Sequence, residues 1–137
     1  MPGCLIDTDV LSELIKPRPS PRVVAWMSAV DDESCFLSVL TVGELSRGAR
    51  RLRARGSTAR SERLEAWIAE TEAAYGERIL VVTSAVVHAW ADHDARRTLP
   101  VVDALIAATA AVHGLTVVTR NERDYHDSGV PVLNPFV

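Results

Sequence analysis

The sequence predicts an α/β protein: one domain over residues 1–137, a central parallel sheet of four to five strands, and helices on both faces. Three observations predict it. Short apolar runs recur along the chain: Cys4-Leu5-Ile6, Cys35-Phe36-Leu37-Ser38-Val39, Ile79-Leu80-Val81-Val82 and Leu115-Thr116-Val117-Val118. Between these runs the apolar residues fall three and four apart, the spacing of a helix face. No repeat, linker or low-complexity segment divides the 137 residues. Strands alternating with helices make a parallel sheet covered on both sides.

The first run stops at Asp7, and Val10, Leu11 and Leu14 then take up helical spacing. Lys16-Pro17-Arg18-Pro19-Ser20-Pro21 must be a loop, because a helix interior does not accommodate its prolines. Ser20 is placed to cap a second helix with Pro21 at its first position. Val23, Val24, Met27 and Val30 give that helix an apolar face, and Asp31-Asp32-Glu33 ends it. After the second strand a helix is expected from about Thr41, through Val42, Leu45, Ala49 and Leu52. Gly56 stops it, and Ser57 is expected to cap the next helix, which carries Leu64, Trp67, Ile68 and Tyr75 as far as Gly76. Thr83 or Ser84 caps a helix through Val86, Val87, Trp90 and Ala91 that must end before Leu99-Pro100. The segment Asp103–Val112 is apolar almost all round and so reads as a buried helix, closed by His113-Gly114. Val130-Pro131-Val132-Leu133 adds a short last strand, which Pro131 confines to an edge.

Composition narrows the class. Hydrophobic residues at 47% and charged residues at 24% are ordinary for a globular protein. No apolar run approaches the ~18 residues that span a bilayer, and no basic, then apolar, leader opens the chain. Cys4 and Cys35 both fall in strands, so buried reduced thiols and a cytoplasmic setting are expected. The net charge of −3 hides a basic flank, for residues 47–63 carry seven arginines against the single acid Glu62. Arginine's planar fork matches phosphate oxygens bidentately, so an acidic whole with this flank suggests local docking of a polyanion.

Three carboxylates stand in apolar surroundings: Asp7 after the first strand, Glu44 early in the helix after the second, and Asp103 at the start of the most apolar helix. Parallel strands all run the same way, which carries these positions toward one edge of the sheet, where α/β proteins bind ligands. Thr119, Asn121 and Asp124 arrive there after the fourth strand. Taken singly, Asp7 could be a helix cap, Asp103 could complement a helix dipole, and Glu44 and Asp124 could be solvated. Together they would repel unless a cation sat among them. Carboxylate and water oxygens suit Mg²⁺ or Mn²⁺, and no His/Cys spacing suggests zinc. No serine, cysteine or histidine has the partners of a nucleophile.

These stretches carry a resemblance. Ile6–Leu14, Leu37–Leu45 with Arg47-Gly48, Leu99–Ala110, Val117–Asn121 and Pro131–Pro135, in this order, resemble the PIN-domain toxin ribonucleases of the VapBC type and their FitB-like relatives. The resemblance spans the chain and implies a metal-dependent endoribonuclease with a PIN-like fold. It puts Asp7, Glu44 and Asp103 at the family's acidic positions. The fourth position is shared among relatives between an acid at Asn121 and one at Asp124; Asp124 is the choice here. Thr8, Asp9, Thr119 and Asn121 then orient these ligands or hold water. Asp9 departs from the family's usual asparagine, and the segment before Asp103 is shorter than in close relatives. Arg47, Arg50, Arg51, Arg53 and Arg55 would bind RNA. The resemblance further implies a tRNA or rRNA substrate, a homodimer, a small VapB-like antitoxin whose basic side chain enters the acidic crevice, operator DNA bound only through that antitoxin, and no membrane. Two alternatives stand beside it: a haloacid-dehalogenase-like phosphohydrolase, suggested by Asp7-Thr8-Asp9 after a strand, and a PIN-like binding module without catalysis. Against the former, Leu11 replaces the expected Thr or Val, a later catalytic lysine is lacking, and the chain is short.

Overall fold

The computed structural model describes residues 3–95 and 99–137. The chain runs β1 (Cys4–Ile6), α1 (Thr8–Leu14), α2 (Pro21–Ala29), β2 (Cys35–Ser38), α3 (Val39–Ala54), α4 (Thr58–Tyr75), β3 (Ile79–Leu80), α5 (Ser84–Asp94), α6 (Val101–His113), β4 (Thr116–Val118), α7 (Glu122–Tyr125) and β5 (Val132–Leu133). Short 3₁₀ turns precede β2 and β3 and follow α7. The five strands pair in the order β3-β2-β1-β4-β5, all parallel. From β1 the chain moves out to β2 and β3, then crosses to β4 and β5 on the other side. The carboxyl ends of β1 and β4 therefore flank the point where strand order reverses, where open α/β sheets form their crevice.

Alternation along the strands builds a core on each face. Cys4, Ile6, Cys35, Leu37 and Val118 pack with Val10 and Leu11 of α1, Val23 of α2, Leu45 and Ala49 of α3, and Ile68 of α4. Leu5 and Val117 face the other way, onto Ile106, Ala107 and Ala110 of α6 and onto Tyr125. In α6 the buried Thr109 satisfies its hydroxyl on Leu105 O at 2.8 Å, which lets the helix be buried on its sheet side. Cys4 and Cys35 are free thiols, each 1% exposed, as expected of small core residues.

Local signals account for most boundaries. The Ser20 and Thr83 side chains cap α2 and α5. Buried Glu13 holds the proline loop, accepting from Lys16 Nζ and Ser20 N, each at 2.8 Å. Where the structure departs from expectation, tertiary contacts give the reason. α3 starts at Val39, two residues early, because Ser38 ends β2 and caps the helix through Leu40 N. β3 has two residues where Ile79–Val82 were expected. Its one neighbour, β2, ends at Ser38, so Val81 has nothing to pair with and is 59% exposed. β4 begins at Thr116 because Leu115 N bonds Ala110 O, completing the end of α6. β5 is shorter than expected, and Pro131 contributes a carbonyl, to Val117 N, and no donor. Ser57 makes no side-chain cap of α4, since its backbone (φ −85°, ψ 59°) lies outside the extended region a capping residue adopts. The buried Ser61 hydroxyl instead pins the α3–α4 hairpin by donating to Ala49 O at 2.7 Å. Among the described residues no helix is long and apolar enough to cross a membrane.

Leu37 is fully buried in the α1–α4 core. Leu37→Ala is expected to cost roughly 2–5 kcal/mol through lost burial and a cavity, read as a lower urea midpoint with an unchanged m-value.

Candidate active site

Asp7 follows β1 directly, and its N–H stays in register with the sheet by donating to Val118 O at 2.9 Å. Its carboxylate caps α1, with Oδ1 accepting from Thr8 N at 2.8 Å. The other oxygen, Oδ2, accepts from Thr119 Oγ1 at 2.9 Å and from the Tyr125 hydroxyl at 3.1 Å. The residue is 6% exposed. Burial, and after it the neighbouring Asp9 charge, pushes its pKa up to about 6 against the opposing pull of these hydrogen bonds. Asp7 is thus both the helix cap and the centre of an acid cluster.

The neighbouring residues are drawn in from both sides of the switch point. Thr8 donates through Oγ1 to Glu44 Oε1 at 2.6 Å, tying the start of α3 to α1. Asp9 accepts at Oδ2 from Arg120 N at 3.0 Å and from Thr119 Oγ1 at 3.3 Å, while its buried Oδ1 has no hydrogen-bond partner among the described residues. Burial raises the Asp9 pKa. Asp103, in the first turn of α6, is half-buried; its pKa is raised by burial and then by the charges of Asp124, Glu44 and Asp9. Asp9, Glu44 and Asp124 thus lie within electrostatic reach of Asp103, and Asp9 within reach of Asp7. Asn121 donates its backbone N–H to Thr119 Oγ1 at 3.1 Å, and its side chain is exposed. Asp124 brings a negative charge near Asp103, whereas the Asn121 side chain is neutral.

Sequence reasoning passed over Tyr125, a wholly buried residue whose hydroxyl reaches Asp7 and faces Asp103. Its signal was one aromatic set in the polar run Asn121–Ser128. Proximity to the carboxylates and burial raise its pKa far above the ordinary phenol range.

The arginines are spread along the α3–α4 hairpin. At about 100° per residue, Arg47 and Arg51 follow Glu44 along one side of α3, and Arg55 caps its end. Arg50 points away from that stripe and donates to Ser46 O. Arg53 lies on the opposite side, in an exposed ion pair with Glu65 at 3.3 Å.

Among the described residues, no three His, Cys, Asp or Glu side chains are already gathered closely enough to hold a metal ion. The donor set nonetheless fits a hard divalent cation. It is all oxygen, it carries mutually repelling charges, and it includes the orphaned Asp9 Oδ1. A cation would relieve that repulsion and draw the carboxylates inward.

An acid cluster at the switch point of a five-stranded parallel sheet defines an α/β protein with a cation-attracting centre. The chain belongs to the PIN domain family, which it matches over residues 4–127. It is 36% identical over 138 residues to Toxin FitB of Neisseria gonorrhoeae, covering 96% of this chain and 97% of that protein. Its identity to VapC ribonuclease Y4jK of Sinorhizobium fredii is 33% over 138 residues, with 96% of each covered. The crystal structure of FitAcB from Neisseria gonorrhoeae superposes with a TM-score of 0.84 at 34% identity, over 97% of this chain and 98% of that one.

The raised Asp7 pKa sets the direction of a pH effect. Between its ordinary value of 3.8 and about 6, the folded protein holds a proton that the unfolded chain releases. Metal-free stability therefore falls as pH rises through that window and is level above it. Asp7→Asn is expected to shrink the slope, leaving the part that the raised pKa values of Asp9 and Asp103 contribute, and to raise metal-free stability at pH 7 by on the order of 2–3 kcal/mol. Chemical denaturation in chelator at pH 4.5 and pH 7 measures this, and a slope in Asp7→Asn as steep as in the wild type counts against Asp7 as its main source.

Proposed function

We propose that this protein is the toxin of a type II toxin–antitoxin pair, a Mg²⁺- or Mn²⁺-dependent endoribonuclease that hydrolyses RNA phosphodiester bonds. The observation that carries the reading is the convergence of Asp7, Glu44, Asp103 and Asp124 on the switch point, around a buried carboxylate with a raised pKa. Membership of the PIN domain family and similarity to a named toxin and a named ribonuclease support it.

In this reading Asp7, Asp103, Glu44 and Asp124 hold one or two divalent ions. When bound, such ions lower the pKa of a water, screen the phosphate and stabilise the departing oxygen. Thr8 fixes Glu44 by its 2.6 Å bond, and Thr119 fixes Asp7 and Asp9 together. The exposed Asn121 amide serves the rim of the site, where it holds water beside the scissile phosphate. Arg47, Arg51 and Arg55 lead RNA phosphates along α3 toward the acids, with Arg50 and Arg53 contributing on its outer sides. The partners are an RNA substrate such as tRNA or rRNA, a second copy of the chain, and a small VapB-like antitoxin through which operator DNA is bound. The setting is the cytoplasm, and the PIN domain occupies residues 1–137. The phosphohydrolase alternative needs a free lysine by the acids, and the single lysine, Lys16, is held by Glu13 at 2.8 Å.

Purified protein is expected to cleave total RNA with Mg²⁺ or Mn²⁺, to stop in chelator, and to lose activity at least a hundredfold, by about 3 kcal/mol, in Asp7→Asn and Asp103→Asn. Phosphate release from a small monoester without RNA cleavage would overturn the reading. Asp124→Ala is expected to lose far more activity than Asn121→Ala, and equal, wild-type rates in both would sink that assignment.

The arginine stripe makes a separate expectation. Arg47→Ala with Arg51→Ala should weaken RNA binding and flatten its dependence on salt by about two phosphate contacts. Arg53→Ala alone should change both less, since Glu65 shares its guanidinium. Filter binding across a salt series reads the difference.

A further inference from the structure

Tyr125 is wholly buried, its ring in the core with Leu5, Ile106 and Val117. Phenylalanine would fill that space without a polar atom, whereas a buried tyrosine hydroxyl needs a partner. Here it donates to Asp7 Oδ2 at 3.1 Å, beside Thr119 Oγ1 at 2.9 Å on the same oxygen. Asp103 is a second carboxylate near this hydroxyl. Two side-chain donors thus occupy one oxygen of Asp7, while Oδ1 accepts only the N–H of Thr8 and keeps a lone pair for another ligand. Tyr125 is also the buried residue of α7, a single turn that carries Asp124.

We propose that Tyr125 is a positioning residue: its hydroxyl, rooted in the core, fixes which oxygen of Asp7 faces the acid cluster and ties α7, with Asp124, to Asp7 and Asp103. The role rests on the cation-dependent reading of the site given above. A carboxylate held by such a partner presents one orientation to a cation; without it the group turns about its Cβ–Cγ bond and Asp124 loses its anchor. Loss of a hydrogen bond of this kind behind a metal ligand costs roughly ten- to a hundredfold in metal affinity.

Mn²⁺ binding, followed by electron paramagnetic resonance on the wild type, Tyr125→Phe and Asp7→Asn, tests it, with thermal melts in chelator alongside. Wild type is expected to bind and Asp7→Asn to lose binding. Tyr125→Phe is expected to bind at least tenfold more weakly while melting as one cooperative unit. Wild-type Mn²⁺ affinity in Tyr125→Phe, with binding lost in Asp7→Asn, overturns the proposal and leaves the metal reading standing. No Mn²⁺ binding by wild type overturns both. Should Tyr125→Phe not fold, a second measurement leaves Tyr125 in place. The chain has two tyrosines, so a Tyr75→Phe protein grown with 3-fluorotyrosine reports Tyr125 by a single ¹⁹F resonance. Saturable movement of that resonance with Mg²⁺ is expected, and a resonance that Mg²⁺ leaves in place overturns the role.

Discussion

A carboxylate buried at the joint between two central strands is the constraint on which the rest of this molecule depends. Removing a charge from water is costly unless hydrogen bonds replace the lost solvent. Asp7 recovers them from three directions: Thr8 N on its own helix, Thr119 at the end of β4, and Tyr125 from the core. Each donor fixes a piece of chain. The three bonds do not offset burial fully, as the raised pKa records. What remains is a carboxylate that holds its proton to a higher pH than an exposed aspartate does.

Topology turns that one residue into a site. Because all strands are parallel, a helix that directly follows a strand begins at the same edge, as α1, α3 and α7 do, and acids placed there converge without special loops. One half of the fold delivers Glu44 through α3, and the other delivers Asp103 through α6 and Asp124 through α7. The negative charge collects at the switch point while the arginines run away from it along α3. A polyanion therefore meets attraction first and carboxylates last.

Much of this was legible in the residues because the signals are local. Ser20 with Pro21, Thr83, Gly56 and His113-Gly114 mark helix ends by chemistry that needs no tertiary partner, and the short apolar runs mark strands. The expectation that Asp7, Glu44 and Asp103 meet at one edge followed from parallel topology alone. What could not be read depends on neighbours. The length of β3 is set by where β2 stops, and the start of β4 by a bond from Leu115 to the end of α6. Ser57 had the right chemistry for a cap and the wrong backbone. Tyr125 escaped notice because its importance lies in a hydroxyl meeting a residue 118 positions earlier. The same distance hid the double attachment of Asp9 to Thr119 and Arg120, and with it the orphaned Oδ1.

That separation in sequence has a kinetic side. β1 is the first strand of the chain, yet its partner on one flank begins at Thr116, and the bonds that hold Asp7 span 112 and 118 residues. Contacts of such high sequence separation close late, because the loop entropy is lost before they form. A chain emerging from the ribosome can pair β1 with β2 and still have no assembled centre. Opening of β4 from β1 disperses the same acids in one event. The cleavage chemistry proposed for this protein is thereby confined to the fully folded chain.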